Sequence, residues 1–205
     1  MFLAGTETSS NTTEWAMTEL ILNPNIMAKV RQEIAESTKT KERIDEADIL
    51  GLPYLQAVIK ETMRLHLSVP LLVPHKTETD VKLNGYMVPK NTQVLVNAWA
   101  IARDAKYWDN PTLFMPERFM NSELDFKGQH FSFLPFGSGR RMCPGIPLAQ
   151  RVVSLMVASL VYYFDWKLPN GAKTMDMNDT FGLTLQRATP LLAIPKTLKE
   201  EGKCI

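Results

Sequence analysis

Phe136-Gly137-Ser138-Gly139-Arg140-Arg141-Met142-Cys143-Pro144-Gly145 is the stretch that decides how this chain folds. One cysteine sits in a glycine-rich loop, two arginines stand just before it, and an apolar helix, Leu148 to Phe164, follows directly. A soft thiolate held there is well placed to ligate a metal. Arg140 and Arg141 supply positive charge that keeps such a sulfur deprotonated. Gly139 and Gly145 allow backbone angles and a close approach that a side chain would block. The loop N–H groups can then point at the sulfur and tune its donor strength. Phe136 would shield the sulfur from water. The plainer alternative is a surface turn before a helix, with Cys143 an ordinary buried thiol.

The five fixed positions of this loop, Phe-x-x-Gly-x-Arg-x-Cys-x-Gly, resemble the haem-binding loop of the cytochrome P-450 monooxygenases. In a chain of this length they arise by chance on the order of a few times in 100,000. With all five filled, the haem reading outweighs the structural-cysteine reading. The resemblance implies haem b with an axial thiolate from Cys143, a ligand that pushes electron density onto iron and favours cleavage of dioxygen.

Composition agrees and excludes little. The chain has 205 residues, 45% hydrophobic and 22% charged, enough to bury a sizeable core. A net charge of +1 gives no electrostatic case for nucleic acid or for an anionic membrane surface. Two cysteines, Cys143 and Cys204, make no disulfide framework, and three histidines without a CxxC make a zinc site a poor explanation. The first residues carry no charged leader, and the most apolar segment, Val152 to Phe164, contains two serines and is too short to span a bilayer. No repeat or linker interrupts the chain, which reads as one unit over 1–205.

Periodicity predicts helices first and short strands after. A helix from Met1 to about Leu22 ends at Asn23-Pro24, and Asn23 caps a second helix with Pro24 at its first position and Ile26, Met27, Val30 and Ile34 as its apolar stripe. A short acidic helix near Asp45 to Leu50 leads through Pro53 into a third long helix carrying Leu55, Val58, Ile59, Met63 and Leu65. Val81 to Val88 reads as a hairpin with an Asn84-Gly85 turn, and Gln93 to Asn97 as a strand. A short helix and a long irregular stretch, Asp104 to Pro135, come next. Trp166 to Leu168 and Leu191 to Ile194 suggest further strands. The fold class is therefore mainly α with small β-sheets, and the resemblance implies the C-terminal portion of the cytochrome P-450 fold, incomplete.

Further motifs match the same family in its order. Ala4-Gly5-Thr6-Glu7-Thr8 resembles the oxygen-activating segment of the helix that crosses the haem. By resemblance Thr8 positions and Glu7 relays protons, a form of general acid catalysis, while Ala4 and Gly5 leave room for dioxygen and substrate. The alternative is a helix start, with Asn11 and Glu14 spaced as a capping box. Glu61 and Arg64 could be a solvated pair worth roughly 0.2–0.5 kcal/mol. The family instead joins them to Arg118 of Pro116-Glu117-Arg118-Phe119 in a buried structural cluster. Arg141 and His75 match positions that contact haem propionates, for which a guanidinium is well shaped. Arg140 reads as solvated, His66 as serving a helix dipole, and His130 as a loop residue.

The segment Leu67 to Val73, with Val69, Leu71 and Leu72, and the turn Phe181 to Leu185, with Phe181 and Leu183, resemble two substrate-recognition regions, which implies a small hydrophobic substrate. The wording of Pro135 to Ala149 and of Phe181 to Gln186 resembles the plant subgroup that includes geraniol hydroxylases, hence a terpenoid. The resemblance further implies dioxygen, electrons from NADPH-cytochrome P-450 reductase, no nucleic acid, and an endoplasmic reticulum location on the cytosolic face through an N-terminal anchor outside this sequence. Two other readings stand beside the monooxygenase: a truncated haem-binding fragment without catalysis, and a helical interaction fragment with no cofactor. On the fragment reading, the apolar faces of the first helix and of Val152 to Phe164 lose packing partners, and the 205-residue chain alone holds haem poorly.

Overall fold

The computed structural model describes residues 2–38, 43–49, 51–182 and 184–198. Helix α1, Phe2–Leu22, stops where Pro24 would clash with the preceding turn. The Asn23 side chain serves this end rather than the next beginning, its amide donating to the Glu19 carbonyl at 2.8 Å. Helix α2, Pro24–Thr38, buries Met27, Val30 and Ile34. A single acidic turn, α3 (Glu46–Ile49), precedes α4, Pro53–Leu65, which starts on proline at its first turn. The capping-box alternative fails, because α1 runs unbroken through both Asn11 and Glu14.

The strands form four separate antiparallel pairs among the described residues. β1 (His75–Lys76) pairs with β4 (Gln93–Val94), and β2 (Val81–Leu83) with β3 (Tyr86–Val88). Leu83 faces Tyr86, leaving Asn84 and Gly85 as a two-residue loop with φ of 47° and 89°, the left-handed conformation that such a hairpin turn requires. β4 is shorter than expected because Asn97 turns out of the strand to cap α5 (Ala98–Ile101), its side chain accepting from the Ala100 N–H at 3.0 Å. β5 (Phe164–Lys167) pairs with β8 (Ile194–Thr197), three residues beyond where the sequence suggests. The Leu191 N–H is taken instead by Glu14 of α1 at 2.7 Å. β6 (Asp179–Phe181) and β7 (Leu185–Arg187) form a hairpin where a bare turn is expected.

Helix α6, Ile146–Tyr163, has 18 residues, five more than the apolar segment picked from sequence. Its length and composition would suffice to cross a membrane. It packs instead against α1, α2, α3 and α4. Ala16 and Leu20 of α1, Val30 and Ile34 of α2, Val58 of α4 and Val157 and Val161 of α6 form one cluster with no solvent exposure. α1 and α6 thus bury part of their apolar faces against each other, while Phe2, Leu148 and Met156 stay exposed. Burial of each such side chain contributes roughly 1.5–3 kcal/mol, so Leu20→Ala should cost about 2–5 kcal/mol. The irregular stretch 104–135 adds aromatic side chains to this core. Trp108, Phe119 and Phe133 meet at 5.0 to 6.3 Å, and a 3₁₀ turn at Pro116–Phe119 packs on α4.

Candidate functional site

The cysteine loop is closed by one backbone bond, the Cys143 N–H donating to the Phe136 carbonyl at 3.0 Å. Gly137 and Gly139 turn the chain with φ of 73° and 67°, angles that a β-carbon would strain. A short 3₁₀ turn, Gly139–Arg141, then delivers the sulfur. Gly145 differs from expectation. Its φ is −84°, and a β-carbon there would meet the sulfur at an ordinary 3.6 Å, so neither angle nor space demands glycine. Its N–H does point at the sulfur, 3.4 Å away. Cys143 is exposed. The Phe136 ring packs edge-on against Phe126 at 5.7 Å. Arg140 and Arg141 are exposed, and among the described residues neither meets a hydrogen-bond or ion-pair partner.

Across from this loop, α1 presents Thr8. Thr8 and Thr12 share one recess with Phe136, the end of α4 and the first turns of α6, and its walls are mostly apolar. The Thr8 hydroxyl donates to the Ala4 carbonyl at 2.6 Å, which leaves its oxygen able to accept. Ala4 and Gly5 are exposed, and a β-carbon at Gly5 would meet nothing within 4 Å. Glu7 is half-buried on α1 and does not line the recess. His75 stands exposed on β1, its backbone paired with Val94.

On α4, the Glu61 and Arg64 side chains are 0% exposed and doubly bonded, Nε to Oε2 at 2.7 Å and Nη2 to Oε1 at 2.9 Å. Arg118 Nε donates to the same Oε1 at 3.0 Å, and the Met115 N–H does so at 2.8 Å. Arg64 also caps the carbonyls of Ala102 and Pro111 at 2.6 and 2.8 Å, so the long loop is drawn onto α4 by its backbone. The solvated-pair alternative does not describe this geometry.

Val69, Leu71 and Leu72 are half-buried beyond α4. Leu72 has a φ of 52°, and its side chain lies 3.8 Å from where a β-carbon on Gly137 would stand, beside the cysteine loop. Phe181 is 68% exposed at the end of β6, and Leu183 lies outside the described residues. Sequence reasoning missed a buried polar column. The His66 backbone caps α4, but its ring Nε2 sits 2.6 Å from Glu19 Oε1 and stacks on Trp15 at 3.7 Å. Arg187 covers the other side of Trp15 at 4.8 Å. The available signal was the spacing Asn11, Glu14, Trp15, on a helix read for Ala4 to Thr8, with Asn11 and Glu14 weighed only as a capping box.

The family model for cytochrome P450 matches residues 1–193. The chain belongs to the cytochrome P450 family. Its relatives include cytochrome P450 76C4 of Arabidopsis thaliana, 58% identical over 197 residues that make up 95% of this chain and 39% of that protein. Geraniol 8-hydroxylase of Catharanthus roseus is 54% identical over 200 residues, 97% of this chain and 41% of that one. A zebra fish cytochrome P450 solved with abiraterone superposes with a TM-score of 0.84 at 38% identity, covering 95% of this chain and 45% of the other. The mainly helical architecture with small sheets is thus part of the P450 fold, and the likeness to plant relatives of the geraniol hydroxylase kind holds. The chain spans about two-fifths of the length of the curated relatives it matches. Members of the family carry haem with iron bound by a cysteine thiolate. The chemistry of the residues here fits that group: an exposed thiol receiving a backbone N–H, and two exposed arginines that meet no partner among the described residues.

Proposed function

We propose that this chain supplies the haem-binding and oxygen-activating part of a haem-thiolate monooxygenase acting on a hydrophobic, terpenoid substrate. Bound haem supplies the reduction of dioxygen and insertion of one of its atoms into the substrate. Cys143 holds the iron as thiolate, with the Gly145 N–H tempering the sulfur's charge. Arg141 and His75, both exposed, take the propionates. Gly139 gives the loop its turn, and Phe136 forms a wall of the recess. Ala4 and Gly5 keep the opposing helix face open. Thr8, anchored on Ala4, accepts a hydrogen bond from a water and holds it on the recess wall, while Glu7 exchanges protons with solvent. Val69, Leu71, Leu72, Phe181 and Leu183 contact substrate. Electrons come from an NADPH-cytochrome P450 reductase at the cytosolic face of the endoplasmic reticulum, where the whole protein is membrane-associated.

The observation that carries this reading is that Thr8 of α1 and Phe136 of the cysteine loop line one recess. Relatives named geraniol 8-hydroxylase and carnosic acid synthase support the substrate class. Thr8→Ala in the whole protein should still consume NADPH but yield about tenfold less product per electron, with more peroxide, since a positioned proton donor contributes about 10²–10⁴ in rate. Equal product per NADPH in both proteins would remove Thr8 from the mechanism.

A further inference from the structure

The chain from β7 to Leu191 is strapped along α1 at three successive points. The Asn11 side-chain amide donates to the Leu185 carbonyl at 2.6 Å and to Ser68 Oγ at 3.2 Å. The Arg187 guanidinium lies 4.8 Å over Trp15 and 4.0 Å from Glu14. Glu14 then accepts the Leu191 N–H at 2.7 Å. At the first of these points the Leu185 N–H donates to the Ser68 carbonyl at 2.8 Å, so both backbone groups of Leu185 are fixed at one junction. Asn11 is only 5% exposed and lies one helical turn after Thr8. Thr8 lines the recess together with Ser68. Chemistry settles the orientation of the amide. A carbonyl can only accept, so the NH₂ faces Leu185. Asn11 Oδ1 is then buried without a partner among the described residues, an arrangement folded proteins keep rare. The side chain is therefore used here for its donors.

We infer that Asn11 is a positioning residue that fixes segments 67–73 and 184–187 relative to Thr8, and thereby selects which carbon of a hydrophobic substrate is presented for oxidation. This rests on the monooxygenase reading above. Three separate chain segments meet at this one amide, and no other side chain joins α1 to both Ser68 and Leu185 among the described residues. Asn11→Asp keeps the volume but turns a donor into an acceptor facing a carbonyl, which opens the junction by repulsion. Ser68→Ala removes one weaker bond and leaves the Leu185 contact intact.

Two measurements test this. In the first, amide hydrogen exchange needs no haem. Asn11→Asp should speed exchange about tenfold in 67–72 and 184–187 while α6 stays as in wild type, and Ser68→Ala should change it less than about threefold. In the second, the haem-loaded whole protein is given geraniol with reductase and NADPH. Asn11→Asp should shift the ratio of hydroxylation positions by about fivefold with the thiolate spectrum retained. Asn11→Ser, smaller and uncharged, is read the same way if the aspartate variant does not fold. Unchanged exchange, exchange raised equally through α6, or a wild-type product ratio despite local opening would each overturn the proposal. A wild-type protein with no thiolate spectrum would instead fail the monooxygenase reading, and the exchange result would still decide whether Asn11 is the clamp.

Discussion

Glu61 shows how much one side chain can organise. Its carboxylate takes four donors from α4, from Arg118 and from the Met115 backbone, in a place water does not reach. Removing one partner of a buried pair strands the other's charge, which costs about 3–5 kcal/mol. Urea unfolding should therefore show Glu61→Ala and Arg64→Ala destabilised by that amount, and Arg118→Ala by less, since its side chain keeps some solvent contact. Three variants within about 0.5 kcal/mol of wild type would show the cluster to be an ordinary surface pair. Residues of this kind were legible in sequence because charge, spacing and motif coincide. Gly145 was legible only in part: its place in the pattern was clear, but its ordinary φ makes it an N–H donor to sulfur rather than a strained turn. His66 was misread because a terminal position on α4 hides the long-range partners, Glu19 and Trp15, that its ring finds.

At the scale of elements, the strands depend on contacts distant in sequence. β5 is tied to α2 by Arg31, which donates to Asp165 at 2.9 Å and to the Phe164 carbonyl at 3.0 Å. The Arg31 hydrogen bond holds the Asp165 carboxyl below its ordinary value. A carboxylate depressed on folding adds stability that is present above its unfolded pKa, near about 3.9, and is lost as pH falls through the lower folded value. Asp165→Asn should thus flatten the decline of stability below about pH 4. Solvent screening of this partly exposed pair keeps the difference small. Urea midpoints from pH 6 to 3 check this, and identical acid slopes in the two proteins would contradict it. The helices were readable because proline, capping and 3.6-residue periodicity are local. The β6–β7 hairpin was not, since its three-residue strands carry no alternation and are held by Asn11, Trp15 and Glu14 of α1. β8 slid past its expected place because Leu191 answers to Glu14 before the strand begins.

Over the whole molecule, a core of four helices coexists with exposed apolar side chains on the small sheets. Leu83, Tyr86 and Met87 of the β2–β3 hairpin are 59 to 76% exposed, and Phe181 joins them at 68%. Apolar surface of this kind favours association. Sedimentation of the 205-residue chain should show mass rising with concentration, whereas a single monomer boundary throughout would count against it. Association and haem binding are separable, because the cysteine loop and the β2–β3 hairpin share no residue. The central claim is that Cys143 binds haem iron as a thiolate, and the carbon monoxide difference spectrum of the reduced whole protein tests it most directly. The wild type should give the thiolate-type Soret band and Cys143→Ser should lose it while keeping the helical fold; a thiolate-type band that survives in Cys143→Ser would contradict the account.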